Sequence, residues 1–348
     1  MKDITASELT SGIKAGWNLG NTLDAVRIDS KYWAWSDNYD DLTVDELETG
    51  WVKHKTTKSH FDFLCSAGFN AVRIPVSWHK AVDGDYNIRA GWLERVREIV
   101  DYAVSNDMFV LLNTHHDEFI FKLTDDEFPE TKTAFTKIWE QIAGAFRDYN
   151  EKLILESLNE PRTKQSPNEW KGGTPEEHAN LNALNQLFVD IIRASGGSND
   201  KRILLIPTYA ASKEANAMQA LVMPADTVPD KIIVSIHTYA PNNFCFPEHS
   251  ENIWSLDCPA DVKGVTDSID AAYDYFVSKG IPVIIGEICS WDKHNTDDRT
   301  AHAEFYAGYA KSKGIPVFWW DNGSQMDRNA IRFYHPEVIE ALVRGAQL

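Results

Sequence analysis

Cysteine is scarce in this chain and spaced for no known purpose. Among 348 residues there are four, Cys65, Cys245, Cys258 and Cys289, with no CxxC pair and no zinc-like spacing, so neither a structural metal nor any other cofactor is expected. Cys245 and Cys258 share one loop-like stretch, FCFPEHSENIWSLDC, where they either join in a disulfide or stay as buried thiols. No apolar run approaches the roughly 20 residues of a membrane span. The N-terminal MKDITASELTSG lacks the apolar core of a signal peptide, which leaves a cytoplasmic protein or a secreted one whose leader has been removed. Cations are also few: 34 Lys and Arg stand against 52 Asp and Glu, a net charge of −18. That sign repels phosphate backbones and anionic headgroups, so neither nucleic acid nor membrane is an expected partner. HExxH, a DxD cluster, a phosphate-binding loop and a GxSxG elbow are all missing. With no linker, low-complexity tract or short repeat, residues 1–348 read as a single domain; a monomer is expected, though the sequence does not itself set the oligomeric state.

What is present in abundance is alternation. Short apolar runs that end in polar residues recur at 14–21, 70–78, 109–116, 153–161, 203–209, 231–239, 281–287 and 315–323. Between them lie segments with apolar residues at three- and four-residue steps, such as 93–104, 134–149, 181–195 and 299–313, which predict amphipathic helices. Gly68, Gly196, Gly280 and Gly314 fall where left-handed helix caps belong. Strands that are apolar throughout need both faces covered, and eight of them followed by helices predict an α/β fold, a (β/α)8 TIM barrel. The alternative, a doubly wound sheet, needs a glycine-rich turn after its first strand, and NTLDA stands there instead.

In a barrel the C-terminal strand ends carry the active site. Here they hold Asn18, Asn21, Arg73, His115, His116, Asn159, Glu160, Tyr209, His237, Tyr239, Glu287, Trp320 and Asp321. One buried polar group at a strand end is ordinary structure; a polar group at nearly every end is not. Glu160 and Glu287 each close an apolar run, and glycoside cleavage needs such a pair, one carboxyl to protonate the leaving oxygen and one to meet the developing cation. Strand ends four and seven face each other across a barrel mouth, and about 5 Å between the carboxyl groups would mean retention of configuration. His115 and His116 invite a metal, but neighbouring side chains on a strand point oppositely and would not share an ion. Twelve Trp and twelve Tyr supply flat faces for sugar rings, and Trp33, Trp35, Trp51, Trp78, Trp254 and Trp291 stand beside loop residues.

At these residues the chain resembles glycoside hydrolase family 5, most of all its bacterial endoglucanases and xyloglucanases. The motifs that carry the resemblance are GWNLGNTLDA (16–25), GFNAVRIPVSW (68–78), LNTHHD (112–117), NEPR (159–162), HTY (237–239), GE (286–287) and WWDNG (319–323), in this order and spread over nearly the whole chain. The resemblance implies that Glu160 is the acid/base, with a raised pKa, and Glu287 the nucleophile, held ionised by Arg73. It implies that Asn159 binds the sugar 2-hydroxyl, that Tyr239 flanks the nucleophile, that His115 and His237 complete the network, and that Trp320 is the stacking platform. Asn21, His116, Trp35 and Trp78 are expected sugar contacts. Ile288, Cys289, Ser290 and Trp291 follow the nucleophile where relatives carry a small residue, so the leaving-group wall departs from the pattern. The implied activity is a retaining endo-β-1,4-glucanase, secreted and acting on β-glucan; xyloglucan, mixed-linkage glucan and mannan remain open as substrates. A silent carbohydrate-binding barrel is disfavoured by the two glutamates and Arg73. A cytoplasmic enzyme of phosphorylated metabolites is disfavoured by the missing phosphate site.

Overall fold

All eight apolar runs become parallel strands: β1 (Gly16–Leu19), β2 (Ala71–Ile74), β3 (Phe109–Asn113), β4 (Leu153–Glu156), β5 (Leu204–Pro207), β6 (Ile232–His237), β7 (Val283–Ile288) and β8 (Val317–Asp321). The computed structural model describes residues 1–25, 28–29, 34–35, 39 and 41–348, without the side chains of 28, 29, 34 and 35. β1 pairs with β2 through Trp17↔Val72 and with β8 through Trp17↔Trp319, which closes the sheet into a barrel and rules out the open alternative.

Each strand is followed by a helix: α1 (Lys58–Ser66), α2 (Ala90–Ser105), α3 (Phe128–Phe146), α4 (Pro175–Ala194), α5 (Ala215–Ala220), α6 (Pro259–Tyr275), α7 (Thr296–Ser312) and α8 (Pro336–Gly345). Local chemistry sets their ends. Thr174 and Glu177 form a reciprocal capping box at the start of α4, where Pro175 needs no hydrogen-bond partner for its nitrogen. α2 buries Trp92, Val96, Ile99, Val100 and Ala103, one stripe at helical spacing. Gly68, Gly196, Gly280 and Gly314 all have positive φ; Gly280, with ψ 10°, is a left-handed cap, whereas Gly196, with ψ −168°, is not.

The strands divide their side chains between two apolar layers. Val72, Val110, Leu155, Leu204, Val234, Val283 and Val317 face the helices. Ala71, Leu111, Ile154, Leu205, Ile233, Ile284 and Phe318 face the barrel axis, where Ala6, Leu9 and Ile13 meet them. The last three belong to a short helix, Ala6–Gly12, and its edge, so this helix plugs the barrel floor. It starts with a capping box between Thr5 and Glu8 and is tied to the β5–β6 side by Ala6 N–H donating to Asp230 O at 2.7 Å.

Alternation along a strand means that residues two beyond the inward apolar set also point inward. Those are Arg73, Asn113, Glu156, Pro207, Ser235, Gly286 and Trp320, joined by Asn18 two beyond Gly16, so a mostly polar layer lies directly above the apolar floor. Glu287 has the wrong parity for this layer. The register of β6 against β7 steps from Ile236↔Ile285 to His237↔Glu287, passing over Gly286. This bulge is what aims Glu287 into the mouth.

Candidate active site

Arg73 is the hub. Fully buried at the end of β2, it donates from Nη1 to Glu287 Oε1 at 2.7 Å and to Asn18 Oδ1 at 3.1 Å, from Nη2 to Asn159 Oδ1 at 2.7 Å, and from Nε to Glu156 Oε2 at 2.7 Å. Burial works against its charge, but Glu156 and Glu287 more than offset that and hold its pKa above the ordinary arginine value. Because Asn159 presents its oxygen to Arg73, its NH2 group is turned the other way, toward the cleft.

Glu287 accepts a second hydrogen bond at Oε2 from Tyr239 Oη, 2.8 Å away. Burial first, then the charges of Glu287, Cys289 and Glu160, push the Tyr239 phenol well above its usual pKa, so it stays a donor. His237 stands between the two glutamates, with Nδ1 2.9 Å from Glu160 Oε1 and 3.7 Å from Glu287 Oε1. Nδ1 faces both carboxylates, while Nε2 is buried with no partner among the described residues. One oxygen of each glutamate and a ring nitrogen of His237 lie within 4.8 Å of one another. Strand ends four and seven therefore do meet.

Glu160 departs from expectation in one respect. Burial does raise its pKa, but the hydrogen bond from His237 and the charges of His237, Arg162 and His116 outweigh it, and the net direction is down. Arg162 Nη1 lies 3.5 Å from Glu160 Oε2, and the same guanidinium also meets Glu118 at 3.2 Å and Glu169 at 3.1 Å. The expectation of a raised pKa comes from the acid role that the resemblance implies, and it does not include these cations.

The remaining predicted residues divide. Trp320 and His115 are stacked at 5.7 Å with 10° between planes, and both line the cleft. Burial first, then the charges of His116, Arg73, His237 and Arg162, holds His115 well below its ordinary pKa, hence neutral. His116 also lines the cleft. The two histidines are not on opposite faces as expected: they lie beyond the end of β3, their ring centroids 4.4 Å apart. With Asp24 they form a group in which one ligand atom of each lies within 4.8 Å, the second such group among the described residues besides Glu160, His237 and Glu287. Both Asp24 oxygens accept backbone N–H bonds, from Asn21 and Thr22.

Trp78 is not a sugar contact. It is wholly buried, with Nε1 donating to Asn113 O at 2.9 Å, because the chain after β2 turns it back into the core. Trp254 is likewise 2% exposed. Asn21 sits half-buried in the turn after β1 and is not part of the cleft lining. The side chain of Trp35, and all of Trp33, lie outside the described residues.

The structure adds residues that the sequence reading passed over. Trp170, 59% exposed on the loop after β4, lines the cleft and lies over Arg162 at 4.3 Å. Lys213 and Glu214 from the loop after β5, and Phe246, Glu248 and His249 from the loop after β6, extend a cavity of about 600 Å³. The available signal for Trp170 was a lone tryptophan in the polar loop RTKQSPNEWKGG. All four cysteines are free thiols, so Cys245 and Cys258 are not joined.

A family profile described as Cellulase (glycosyl hydrolase family 5) matches residues 35–326. The chain is 41% identical, over 99% of its length, to a cellulase/esterase of Acetivibrio thermocellus, and 36% identical, over 98%, to an endoglucanase A of Clostridium longisporum. It spans 41% of the first relative and 66% of the second. Among solved structures, a GH5-4 broad specificity endoglucanase from Ruminococcus champanellensis with bound cellotriose superposes with TM-score 0.93 at 37% identity, covering 99% of both chains. A family 5 lichenase from Caldicellulosiruptor sp. F32, in complex with cellotetraose, gives 0.92 at 35% identity, covering 99% of this chain and 96% of that one.

Proposed function

The chain belongs to glycosyl hydrolase family 5, and from that premise we propose that it is an endo-β-1,4-glucanase that cleaves with retention of configuration. The observation that carries the proposal is the approach of Glu160 and Glu287 oxygens to within 4.8 Å. An inverting enzyme needs roughly 6.5–9.5 Å between its carboxyl groups to seat a water, whereas about 5 Å leaves room only for the sugar carbon itself.

In the first half-reaction Glu287 attacks the anomeric carbon and forms an ester to the sugar. The glycosidic C–O bond breaks, and its oxygen leaves with the proton of Glu160. In the second, Glu160, now ionised, takes a proton from water, the hydroxide displaces Glu287, and the anomeric centre returns to its original configuration. Arg73 and Tyr239 fix both oxygens of the nucleophile. The Asn159 amide faces the sugar 2-hydroxyl, and Trp320 offers a flat face beneath the ring. Because Glu160 protonates the departing portion, Trp170 and the loops bearing Lys213 and Glu214 belong to the aglycone side.

Substitution of either glutamate separates the roles. Glu287→Gln is expected to lose cleavage of every substrate. Glu160→Gln is expected to lose polymer cleavage yet still release an activated aryl group that needs no proton, and wild-type glucan hydrolysis by either variant ends the assignment. The bound cellotriose and the lichenase among the similar structures support β-1,4- and mixed-linkage glucans alike as substrates. Initial rates on carboxymethyl cellulose, lichenan, xyloglucan and mannan decide between them. A polymeric substrate also favours work outside the cell, which a fractionation assay of the native host tests.

A further inference from the structure

Glu156, at the end of β4, is fully buried and lines no part of the cleft. Its Oε1 accepts from Ser235 Oγ at 3.0 Å and its Oε2 from Arg73 Nε at 2.7 Å. The same guanidinium holds Glu287 at 2.7 Å. One buried positive charge thus serves two carboxylates, and only one of the two lines the cleft.

A guanidinium gives direction and charge together: its fork orients an acceptor, and its charge lowers that acceptor's basicity. Against Glu287 alone, Arg73 would deliver both in full. We propose that Glu156 is a positioning residue whose negative charge partly cancels that of Arg73, so that Glu287 is held in place yet keeps the basicity a nucleophile needs. The inference rests on reading Glu287 as the nucleophile.

The groups that face Glu287 are Arg73 from β2, His237 at the end of β6 and Tyr239 beyond it, Glu160 from the loop after β4 and the Cys289 thiol on its own segment. Of the anions around the Arg73 guanidinium, Glu156 is the one that takes no part in bond making. Attack by Glu287 makes its bond to the anomeric carbon, and hydrolysis of the ester breaks the same bond. A less basic carboxylate therefore attacks more slowly and departs more readily. Removing the charge of Glu156 drives the two half-reactions in opposite directions, which loss of a merely structural residue does not.

Glu156→Gln removes the charge at nearly constant shape, and Glu156→Asp withdraws it by one methylene. With 2,4-dinitrophenyl β-cellobioside, whose leaving group needs no proton, kcat/KM reports the attack and kcat the hydrolysis of the ester. For Glu156→Gln, kcat/KM should fall about tenfold, kcat should hold or rise, and the acid limb of kcat/KM should move about one pH unit lower. Glu156→Asp should move the same way by less, and it decides the matter if the Gln variant does not fold. A parallel fall of kcat and kcat/KM, or no change in either, overturns the inference. Glu287→Gln is assayed alongside: if it keeps activity, the nucleophile assignment itself fails, and if it is dead while the split is absent, only the role of Glu156 fails.

Discussion

Arg162 helps to set when Glu160 can act as an acid. Burial raises the pKa of that carboxyl, but the hydrogen bond and charge of His237, then Arg162, 3.5 Å from Glu160 Oε2, and His116 bring it below its ordinary value. A proton donor so placed is lost as the pH rises, so the basic limb of kcat/KM on polymer lies on the acid side. Arg162→Gln removes a cation and raises the pKa of Glu160; the basic limb should move upward by about one pH unit, read from rates on a soluble glucan between pH 4 and 8. Gly286 is a second point of control. A methyl group there would stand 2.8 Å from His237 Nε2, too close for a real contact. Gly286→Ala should displace the imidazole from between the glutamates and lower kcat at least about tenfold with little change in melting temperature. At this scale the sequence was informative where chemistry and strand-end position coincide, as for Glu160, Glu287, Arg73, Asn159, His237 and Tyr239. It misled at Trp78, whose place after a strand suggested a cleft wall although the ring packs inward. Glu156 was legible in principle, since it shares the inward parity of Ile154, but a buried carboxylate whose hydrogen bonds among the described residues come from Arg73 and Ser235 has no motif of its own.

Among the elements, the short helix Ala6–Gly12 does more than its length suggests. Leu9 is fully buried against the inward faces of the strands, and no other element covers that end of the apolar layer among the described residues. Leu9→Ala should cost about 2–5 kcal/mol in urea unfolding, at the upper part of that range because the rigid barrel cannot collapse into the gap. The strand and helix order was readable because a buried parallel strand and an amphipathic helix leave different periods in the chain, and four glycines of positive φ marked the joints. The floor helix was not, because seven residues with three buried positions give no periodic signal. Nor was the bulge at Gly286, which is a fact of pairing between β6 and β7 and leaves no trace in either strand alone.

For the molecule as a whole, acid has opposite effects on catalysis and on folding. His302, fully buried on α7, gives Nε2 to Ala240 O at 2.8 Å and packs against Phe244 and Trp254, on the loop that carries Phe246 and His249 into the cleft. Burial pushes its pKa down from 6.5 to about 4. Between those values the unfolded chain takes up a proton that the folded one refuses, so stability falls as the pH drops from 6.5 toward 4. From pH 7 to 5 this group alone should remove about 2 kcal/mol, and His302→Gln should flatten that part of the dependence in urea melts at the two pH values.

The helix across the floor also has a kinetic meaning. The apolar layer and this helix close the barrel from below, so among the described residues the departing portion of the glucan and the water that replaces it share the cleft mouth. On that shared side any sugar hydroxyl that lingers near Trp170 competes with water for the same ester. Crowded with short oligosaccharides, the enzyme should splice as well as cut, and products longer than the starting material would appear before they are trimmed.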